Sequence, residues 1–246
     1  MRALLAVVVA TSLVSVAGAA DDSARIKAAL AKAFPQVKIE SVRPSAVKGF
    51  YEASTGGDIV YVSSDGRYVF TGDLLDTKTR TNLSEARRGR VALDKVNAVP
   101  DDQTLVIGPA NAKRTVTVFT DIDCPYCRKL HQEVPALNNG GVRVRYLFFP
   151  RAGEGSDSFN KSVSVWCAKD RIEAMNNAKA GREVEAKTCN NPVASHLQLA
   201  HALRLQGTPA IVLDSGDIIP GYVSAKEILG MLEKNPAQAK SSAPNS

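Results

Sequence analysis

The stretch Phe119–Cys127 has the sequence Phe-Thr-Asp-Ile-Asp-Cys-Pro-Tyr-Cys and ends in a Cys-x-x-Cys motif. It begins in a run of β-branched residues over 115–120, which predicts a strand. The segment Arg128–Leu137 follows, with apolar residues at helical spacing. The two cysteines therefore lie where a strand meets the first turn of a helix. Unpaired backbone N–H groups and the positive end of the helix dipole favour a thiolate there.

Of the two thiols, Cys124 is predicted to be the nucleophile. It lies at or before the first helical turn, with Pro125 just inside the helix, where a missing N–H costs least. Cys127 lies one turn further along and is placed to attack Cys124 in return, which makes it the resolving thiol. We therefore take Cys124 and Cys127 as the candidate catalytic pair.

Half of a zinc site and an inert structural loop are the other uses of a Cys-x-x-Cys motif. A structural zinc ion needs four ligands, usually from a second Cys-x-x-Cys or a His pair at short spacing. The remaining cysteines stand 22 positions apart, and there are three histidines: Cys167, Cys189, His131, His196 and His201. Redox chemistry is thus the preferred interpretation, with no metal and no other cofactor.

The first twenty residues have the pattern of a secretory signal peptide. Arg2 supplies a positive start, an almost wholly apolar run follows over 3–16, and small residues precede a predicted cleavage after Ala19 or Ala20. The apolar run is shorter than the roughly 20 residues that a membrane span needs, so a membrane anchor is the less favoured alternative. We expect the mature chain in an oxidising, exported compartment.

Export changes how the four cysteines are interpreted, because four cysteines in an oxidising compartment can pair in three ways. Pairing within the Cys-x-x-Cys motif leaves Cys167 with Cys189, which we interpret as a structural disulfide. The formal net charge of the full chain is +6. No nucleic-acid partner is predicted for an exported chain that lacks any motif for one.

The 246 residues allow one large domain or two modest ones, and we predict two. The first is predicted at 21–81, with a helix over 21–34, a strand at 37–40 and a later hairpin at Asp65-Gly66. So small a unit, a helix and a small antiparallel sheet, often gains stability by pairing with a copy of itself.

The second half of the chain is predicted to begin with a linker helix over 82–100. Asn82 and Glu85 resemble a capping box, and the arginines of this helix favour a solvent-exposed connector. Residues 101–235 follow with β-α-β order around the dithiol, a helical stretch over 156–206 whose last helix spans 193–205, two late strands and a terminal helix. The polar tail over 236–246 is predicted to be disordered.

A β-α-β unit with Cys-x-x-Cys after its first strand, and Thr208-Pro209 before a late hairpin, resembles thioredoxin. In thioredoxin-like folds the matching proline is cis and lies beside the dithiol. The resemblance implies that the backbone of Thr208 pairs with an extended substrate near Cys124. The implied substrate-binding residues are Thr208, Pro209, Pro125 and Tyr126.

Five segments, behind an N-terminal sheet domain and a helical linker, resemble the DsbC/DsbG family of periplasmic thiol:disulfide isomerases, and its DsbC branch most: Val118–Asp121, Phe149–Arg151, Trp166–Asp170, Gly207–Ala210 and Pro220–Tyr222. The resemblance implies an α+β N-terminal dimerisation domain, a linker helix and an α/β thioredoxin-like domain with a helical insertion. It also implies a V-shaped homodimer around a shared apolar cleft. Misfolded disulfide-containing exported proteins would be its substrates, and a membrane-bound, DsbD-like reductase its electron donor.

The dipeptide between the cysteines, Pro125-Tyr126, departs from the family pattern. The best-known isomerase has Gly-Tyr there, whereas Pro-Tyr is found in the DsbG reductase. A DsbG-like reductase of sulfenylated cysteines is therefore an alternative function. A chaperone-like binding module with an incidental dithiol and a dimeric thiol oxidase are two more.

A second departure concerns proton transfer. Thioredoxin keeps a buried Asp six residues before its nucleophile, and here that position is Val118. Asp121 and Asp123 lie closer to the cysteines in sequence, but we expect them to cap the helix or lie at the surface. His131 is likewise expected to be a surface or packing residue.

Overall fold

The computed structural model describes residues 17–237, with side chains placed from residue 22 onwards. The predicted signal peptide over 1–20 lies outside the described residues, except that residues 17–20 open the first helix. The predicted disordered tail over 236–246 also lies outside them, except for its first two residues. The chain divides into two units, residues 1–72 and residues 73–246.

The first unit combines one helix with a four-stranded sheet. Its elements are α1 (Ala17–Ala33), β1 (Ser41–Pro44), β2 (Phe50–Thr55), β3 (Asp58–Ser63) and β4 (Val69–Thr71). The strands lie side by side in chain order, and every neighbouring pair is antiparallel. Apolar residues of α1 pack on one face of the sheet and form a small core with it: Ile26, Leu30, Ile39, Tyr51, Ala53 and Val62.

The hairpin of this sheet agrees with the prediction from the sequence, but its first strand does not. The predicted hairpin at Asp65-Gly66 is confirmed, since β3 and β4 pair across it and Gly66 has a positive φ of 76°. The strand predicted at 37–40 is wrong, because the first strand begins at Ser41. The alternation there reflects the burial of Ile39 in the small core.

The second unit is larger and begins with a short hairpin. Its first elements are β5 (Leu75–Asp76), β6 (Thr81–Asn82), α2 (Leu83–Asn97), β7 (Leu105–Ile107), β8 (Arg114–Thr120), α3 (Pro125–Gln132), α4 (Val134–Asn139) and β9 (Val142–Phe148). The remaining elements are α5 (Asp157–Cys167), α6 (Arg171–Lys179), α7 (Val193–Ala202), β10 (Ala210–Leu213), β11 (Ile218–Pro220) and α8 (Ala225–Lys234).

A five-stranded mixed sheet with the order β11-β10-β8-β9-β7 forms the centre of this unit. β8 and β9 are parallel and are joined through α3 and α4, which confirms the predicted β-α-β order. The other neighbours are antiparallel. Both faces of the sheet are covered by apolar residues. β8, at the middle of the sheet, therefore holds the dithiol at the end of a rigid strand.

Two helical predictions for this unit need correction. The segment predicted as one helix over 128–137 is two, since α3 ends at Gln132 and Glu133 separates it from α4. The helical stretch predicted over 156–206 contains three helices, of which the last begins at Val193 as predicted, but residues 182–192 between α6 and α7 are not helical. Pro192, directly before α7, fits that break, because a proline lacks the N–H that a helix interior needs.

The helix predicted over 82–100 forms as α2, and Asn82 caps it by accepting a hydrogen bond from Glu85 N at 3.0 Å. The prediction that it is a solvent-exposed connector is wrong. One face, carrying Ala92, Leu93 and Val96, is buried in a core with residues of β8, β9, β10 and α7. The many arginines obscured this apolar stripe in the sequence.

Buried Arg145 of β9 completes the attachment of α2. Its guanidinium donates to Val96 O at 3.3 Å and to Val99 O at 2.6 Å. These carbonyls lie at and beyond the end of the helix, where intrahelical partners are missing. A cation at this end also matches the helix dipole. The end of α2 is therefore bound to the central sheet.

Candidate active site

Cys124 occupies the N-cap position of α3, and Pro125 is the first residue inside the helix. The backbone of Cys124 is extended (φ −73°, ψ 122°), and its carbonyl accepts from Arg128 N at 3.0 Å. Its Sγ therefore lies beside the first backbone N–H groups of α3, where an anion is stabilised. This is the position predicted from the sequence.

The environment of Cys124 lowers its pKa below that of an ordinary thiol. Burial, the largest effect, raises this pKa, but hydrogen bonds from the Thr208 side chain and from backbone and side chain of Cys127 outweigh it. The backbone N–H of Tyr126 contributes in the same direction. Cys124 is therefore the more readily ionised of the two thiols, since the pKa of Cys127 is raised.

Burial is the main cause of the raised pKa of Cys127. The charge of Lys179 and hydrogen bonds from the Asp121 backbone and the Thr208 and Thr120 side chains lower it only partly. Both cysteines are free thiols. The pair thus combines a thiol that ionises easily with a neighbour that holds its proton.

The loop before β10 forms the opposite wall of the site. The Thr208-Pro209 peptide bond is cis, and the Cys124 Sγ donates to Thr208 O at 3.3 Å. Among the described residues, Thr208 Oγ1 is buried and accepts or donates no hydrogen bond. The structure thus brings Cys124, Cys127, Thr208 and Pro209 together. Tyr126, in contrast, is 62% exposed and lies at the rim.

Asp121, expected to cap the helix or lie at the surface, is buried beside the site and only 3% exposed. Its carboxylate accepts from Asp123 N at 2.9 Å, from the Ser158 hydroxyl, and from Arg151 through N at 3.0 Å and Nε at 3.2 Å. Burial raises its pKa, but these donors outweigh it and leave the pKa lowered. Asp121 is therefore an ionised group that organises the loop before α3.

Two other polar residues near the dithiol, Asp123 and His131, are held in place by ion pairs or hydrogen bonds. Asp123 forms ion pairs with Lys161 at 3.0 Å and Arg128 at 3.3 Å. His131 lies between Tyr146 Oη at 2.9 Å and Asn176 Oδ1 at 2.8 Å, and burial lowers its pKa. The expected packing role of His131 is therefore confirmed.

Sequence reasoning missed Lys179, the last residue of α6, which is only 4% exposed. Its Nζ donates to Thr120 Oγ1 at 2.7 Å and to Asp121 O at 2.8 Å. Burial lowers its pKa to about 8. One sequence signal could have found it: Lys179 follows the buried Met175 by four positions, which puts a cation on the apolar face of a helix.

Away from the dithiol, Cys167 at the end of α5 forms a disulfide with Cys189. The bond joins α5 to the non-helical segment before α7. Within residues 17–237 no group of three or more His, Cys, Asp or Glu could hold a metal ion. Over the same residues, no helix is long and apolar enough to cross a membrane.

Comparison with known proteins matches both units of the chain. Residues 17–85 match the disulfide bond isomerase protein N-terminal domain, and residues 102–236 match a thioredoxin-like domain. A crystal structure of a disulfide interchange protein from Neisseria gonorrhoeae has a TM-score of 0.51 at 29% identity, covering 57% of this chain and all of that one.

Relatives along most of the chain include three proteins named thiol:disulfide interchange protein DsbC. The protein from Dickeya dadantii is 36% identical over 81% of this chain and 83% of its own length. The protein from Escherichia coli K12 is 34% identical over 87% of this chain and 89% of its own length. The protein from Haemophilus influenzae is 37% identical over 78% of this chain and 83% of its own length. With an isomerase N-terminal domain, a thioredoxin-like domain and a dithiol at the start of α3, this chain belongs to the DsbC family of thiol:disulfide interchange proteins.

Proposed function

We propose that this chain is a periplasmic disulfide isomerase in which Cys124 attacks wrong disulfides of exported proteins. The observation that carries this assignment is the position of Cys124, at the N-cap of α3 with a lowered pKa. The thiolate is the form of cysteine that attacks a disulfide sulfur. A thiol that ionises more readily than an ordinary cysteine is thus available without an external base.

The reaction begins when the Cys124 thiolate bonds to one sulfur of the substrate disulfide and the other sulfur leaves as a thiolate. A second substrate thiol then attacks the mixed disulfide, releases Cys124 and leaves the substrate with a rearranged disulfide. Alternatively Cys127 attacks Cys124, and the substrate is released in its reduced form. Cys127 has the raised pKa, so it keeps its proton while a substrate thiol competes for the mixed disulfide.

The loop at Thr208-Pro209 supports substrate binding beside Cys124. Thr208 O lies 3.3 Å from Cys124 Sγ, so the backbone of this loop borders the reacting sulfur. An extended peptide that pairs with this backbone would bring its own sulfur next to Cys124. Pro125 and the exposed Tyr126 form the adjacent rim, where they would contact the same peptide.

Refolding of scrambled ribonuclease, with its disulfides wrongly paired, tests the isomerase assignment. Cys124→Ser is expected to be inactive, because no other thiol of the site has a lowered pKa. Cys127→Ser is expected to keep a large part of the isomerase activity and to lose net reduction of insulin. Activity of Cys124→Ser equal to that of the parent would refute the assignment, and full activity of a double Cys124/Cys127 variant would indicate a binding module instead.

Pro125-Tyr126 between the cysteines favours a second candidate, a DsbG-like reductase of sulfenylated cysteines. A protein with one sulfenic acid and no disulfide is the substrate that separates the two functions. Faster turnover of this substrate than of scrambled ribonuclease would favour the reductase. If the dipeptide sets the substrate preference, replacing Pro125 with Gly should increase turnover of scrambled ribonuclease relative to turnover of the sulfenic-acid substrate.

An isomerase needs Cys124 in the reduced form, which an oxidising compartment does not maintain. We therefore include a membrane-bound, DsbD-like reductase as the electron donor in this proposal. This donor would use a dithiol to reduce the Cys124–Cys127 disulfide, which takes two electrons. Trapping a mixed disulfide between Cys124 of a Cys127→Ser variant and a membrane protein would identify it.

The exported location in this proposal is supported by the signal-peptide pattern of residues 1–20. Osmotic shock of cells that express the full chain should release the protein. Its first residue should then be Ala20 or Asp21, as determined by N-terminal sequencing. Retention of Met1 would contradict export by this route.

Homodimerisation is also part of the proposal, and the edge strand β4 supports it. All three β4 residues are exposed, and Tyr68 and Phe70 are 54% and 52% exposed. Exposed apolar edge strands pair readily with another chain. The opposite edge, β1, carries Arg43 and Pro44, which discourage such pairing.

Sedimentation equilibrium of Phe70→Lys tests this edge as the dimer interface. The variant should shift towards a monomer, because a lysine would lie on the apolar edge. Val47→Lys is the matched control, since Val47 is a 42% exposed apolar residue of the same unit outside β4. Equal effects of both substitutions would argue against β4 as the interface.

A further inference from the structure

Lys179, Thr120 and Cys127 form a buried group of neighbouring side chains. Lys179 Nζ donates to Thr120 Oγ1 at 2.7 Å, and the Thr120 side chain lies close enough to Cys127 to lower the pKa of that thiol. All three residues are at most 4% exposed. The Thr120 hydroxyl is both a donor and an acceptor, so it can pass a proton between its two neighbours.

No carboxylate occupies the usual place for this task. Position 118, six residues before Cys124, is a buried valine of the central strand. Asp121 is ionised but its carboxylate is already bound to Ser158, Arg151 and the Asp123 N–H, and its backbone carbonyl is the part that faces Lys179. Lys179 is thus the titratable side chain that is connected to Cys127 through a hydroxyl.

We propose that Lys179 acts, through the Thr120 hydroxyl, as the proton acceptor for Cys127 when Cys127 resolves the mixed disulfide on Cys124. This proposal rests on the roles of Cys124 and Cys127 proposed above. It makes Lys179 a positioning residue for the proton and leaves the sulfur chemistry to the two cysteines.

The step balances in atoms and electrons. The Cys127 proton passes to Thr120 Oγ1 while the Thr120 hydroxyl proton passes to the neutral Lys179 amine. The Cys127 thiolate then bonds to Cys124 Sγ, the bond between Cys124 and the substrate sulfur breaks, and the electron pair leaves on the substrate thiolate. Cys124 and Cys127 are oxidised to a disulfide, and the substrate has gained two electrons.

The acid–base balance of the pair fits such a transfer. Burial lowers the pKa of Lys179 to about 8, so roughly a tenth of the amine is neutral at pH 7. Burial also raises the pKa of Cys127, which therefore needs an acceptor. Once formed, the ammonium and the Cys127 thiolate attract each other, because each charge favours the other.

The groups around Lys179 come from several elements. β7 contributes Leu-Val-Ile and no charge. On α5, Ser158 binds Asp121 and Lys161 binds Asp123. The charged and titratable groups that face Lys179 itself come from the end of β8 and from α3: Asp121, Cys124, Cys127, Arg128 and His131.

Stopped-flow reaction of the reduced protein with 5,5′-dithiobis(2-nitrobenzoate) separates the two sulfur steps. The attack of Cys124 releases one coloured thiolate, and the attack of Cys127 on the resulting mixed disulfide releases a second. Cys127→Ser should release only the first, and Cys124→Ser should lose the fast first release. A fast first release that survives in Cys124→Ser would refute the proposed function itself, whatever happens in the second phase.

The second phase tests Lys179. Lys179→Met should slow it roughly 10- to 100-fold at pH 7, within the range of general acid–base catalysis, and move its pH profile to higher pH. Lys179→Arg keeps a positive charge but cannot accept a proton, so it should be slow as well. The first phase should change less than about twofold in both variants. Such a change is far smaller than a general acid–base effect.

Thr120 supplies a matched pair. Thr120→Val removes the hydroxyl at nearly constant shape and should slow the second phase like Lys179→Met, while Thr120→Ser should keep it fast. Parent-like rates in Lys179→Arg would overturn the proposal, because charge alone would then suffice. An unchanged second phase in Lys179→Met or in Thr120→Val would overturn it too.

Discussion

The thiol of Cys124 donates to the carbonyl oxygen of Thr208 at 3.3 Å, across 84 positions of sequence. The buried Thr208 hydroxyl, on the same residue, has no hydrogen-bond partner within the described residues, and as a donor to the thiolate it lowers the pKa of Cys124. Thr208 therefore offers an acceptor to the thiol and a donor to the thiolate. One residue of the opposite loop can therefore hydrogen-bond to Cys124 in both its thiol and its thiolate form.

Replacing Thr208 with Val should raise the pKa of Cys124, because the side-chain hydrogen bond from Thr208 is the largest of the effects that lower it. The measurement is the thiolate absorbance at 240 nm against pH, made in a Cys127→Ser background. Thr208→Ser keeps a hydroxyl and should leave the titration close to that of the parent. An equal shift in both variants would show that the hydroxyl is not the cause.

His196 should make the protein less stable at acid pH. Burial lowers its pKa to about 4, whereas an unfolded histidine titrates near 6.5. Between these values the unfolded state binds more protons, so the free energy of unfolding falls as the pH drops below about 6.5. From pH 7.5 to pH 5 the expected loss is about 2 kcal/mol.

Urea unfolding of the parent and of His196→Gln at both pH values isolates that loss. Gln does not titrate but can still accept the hydrogen bond that Phe148 N donates to His196 Nδ1 at 3.3 Å. The parent should lose about 2 kcal/mol more than the variant on acidification. Parallel losses would assign the acid sensitivity to other groups.

Removal of the Cys167–Cys189 disulfide should destabilise the second unit. The bond closes a segment with a sequence separation of 22, for which the chain-entropy model gives about 3 kcal/mol. The test is urea unfolding of a double Cys167→Ala, Cys189→Ala variant. The parent measured with a reductant should match it, because Cys124 and Cys127 are already thiols.

Gly89 of α2 should not tolerate alanine, although alanine is the better helix former. A Cβ at Gly89 would lie 2.0 Å from the carbonyl oxygen of Gly216, so the backbone of the β10–β11 turn would have to move. Gly89→Ala should therefore lower the free energy of unfolding by a few kcal/mol, as overpacking does.

Gly230 of α8 is the matched control, since a Cβ there meets nothing within 4 Å. Gly230→Ala should stabilise the protein by about 0.5–1 kcal/mol, through helix propensity alone. Thermal unfolding of both variants measures the contrast. Stabilisation by Gly89→Ala would contradict the close approach of α2 to the turn.

Local signals in the sequence predicted much of this fold. The alternation and turn residues around Asp65-Gly66 predicted the β3–β4 hairpin, and the β-branched run before the dithiol predicted β8. These features depend on neighbouring residues alone. The burial of α2 depends instead on a partner surface far along the chain, so its arginines misled the interpretation.

The site shows the same division. The N-cap position of Cys124 follows from Pro125 and the strand before it, both visible in the sequence. The contact between Lys179 and Thr120 joins two positions 59 residues apart, and the lysine is on a helix with no motif. Only the packing of α6 against α3 brings that ammonium to the dithiol.

Cys124 is only 2% exposed, although it is the residue proposed to attack other proteins. A disulfide held inside a folded globule cannot approach a sulfur that lies below the surface. A flexible, extended segment can instead pair with the backbone at Thr208 and bring its sulfur beside Cys124. In the proposed function, the burial of Cys124 would thus select substrates by the flexibility of their chains, so that correctly folded proteins are left unchanged whatever their sequence.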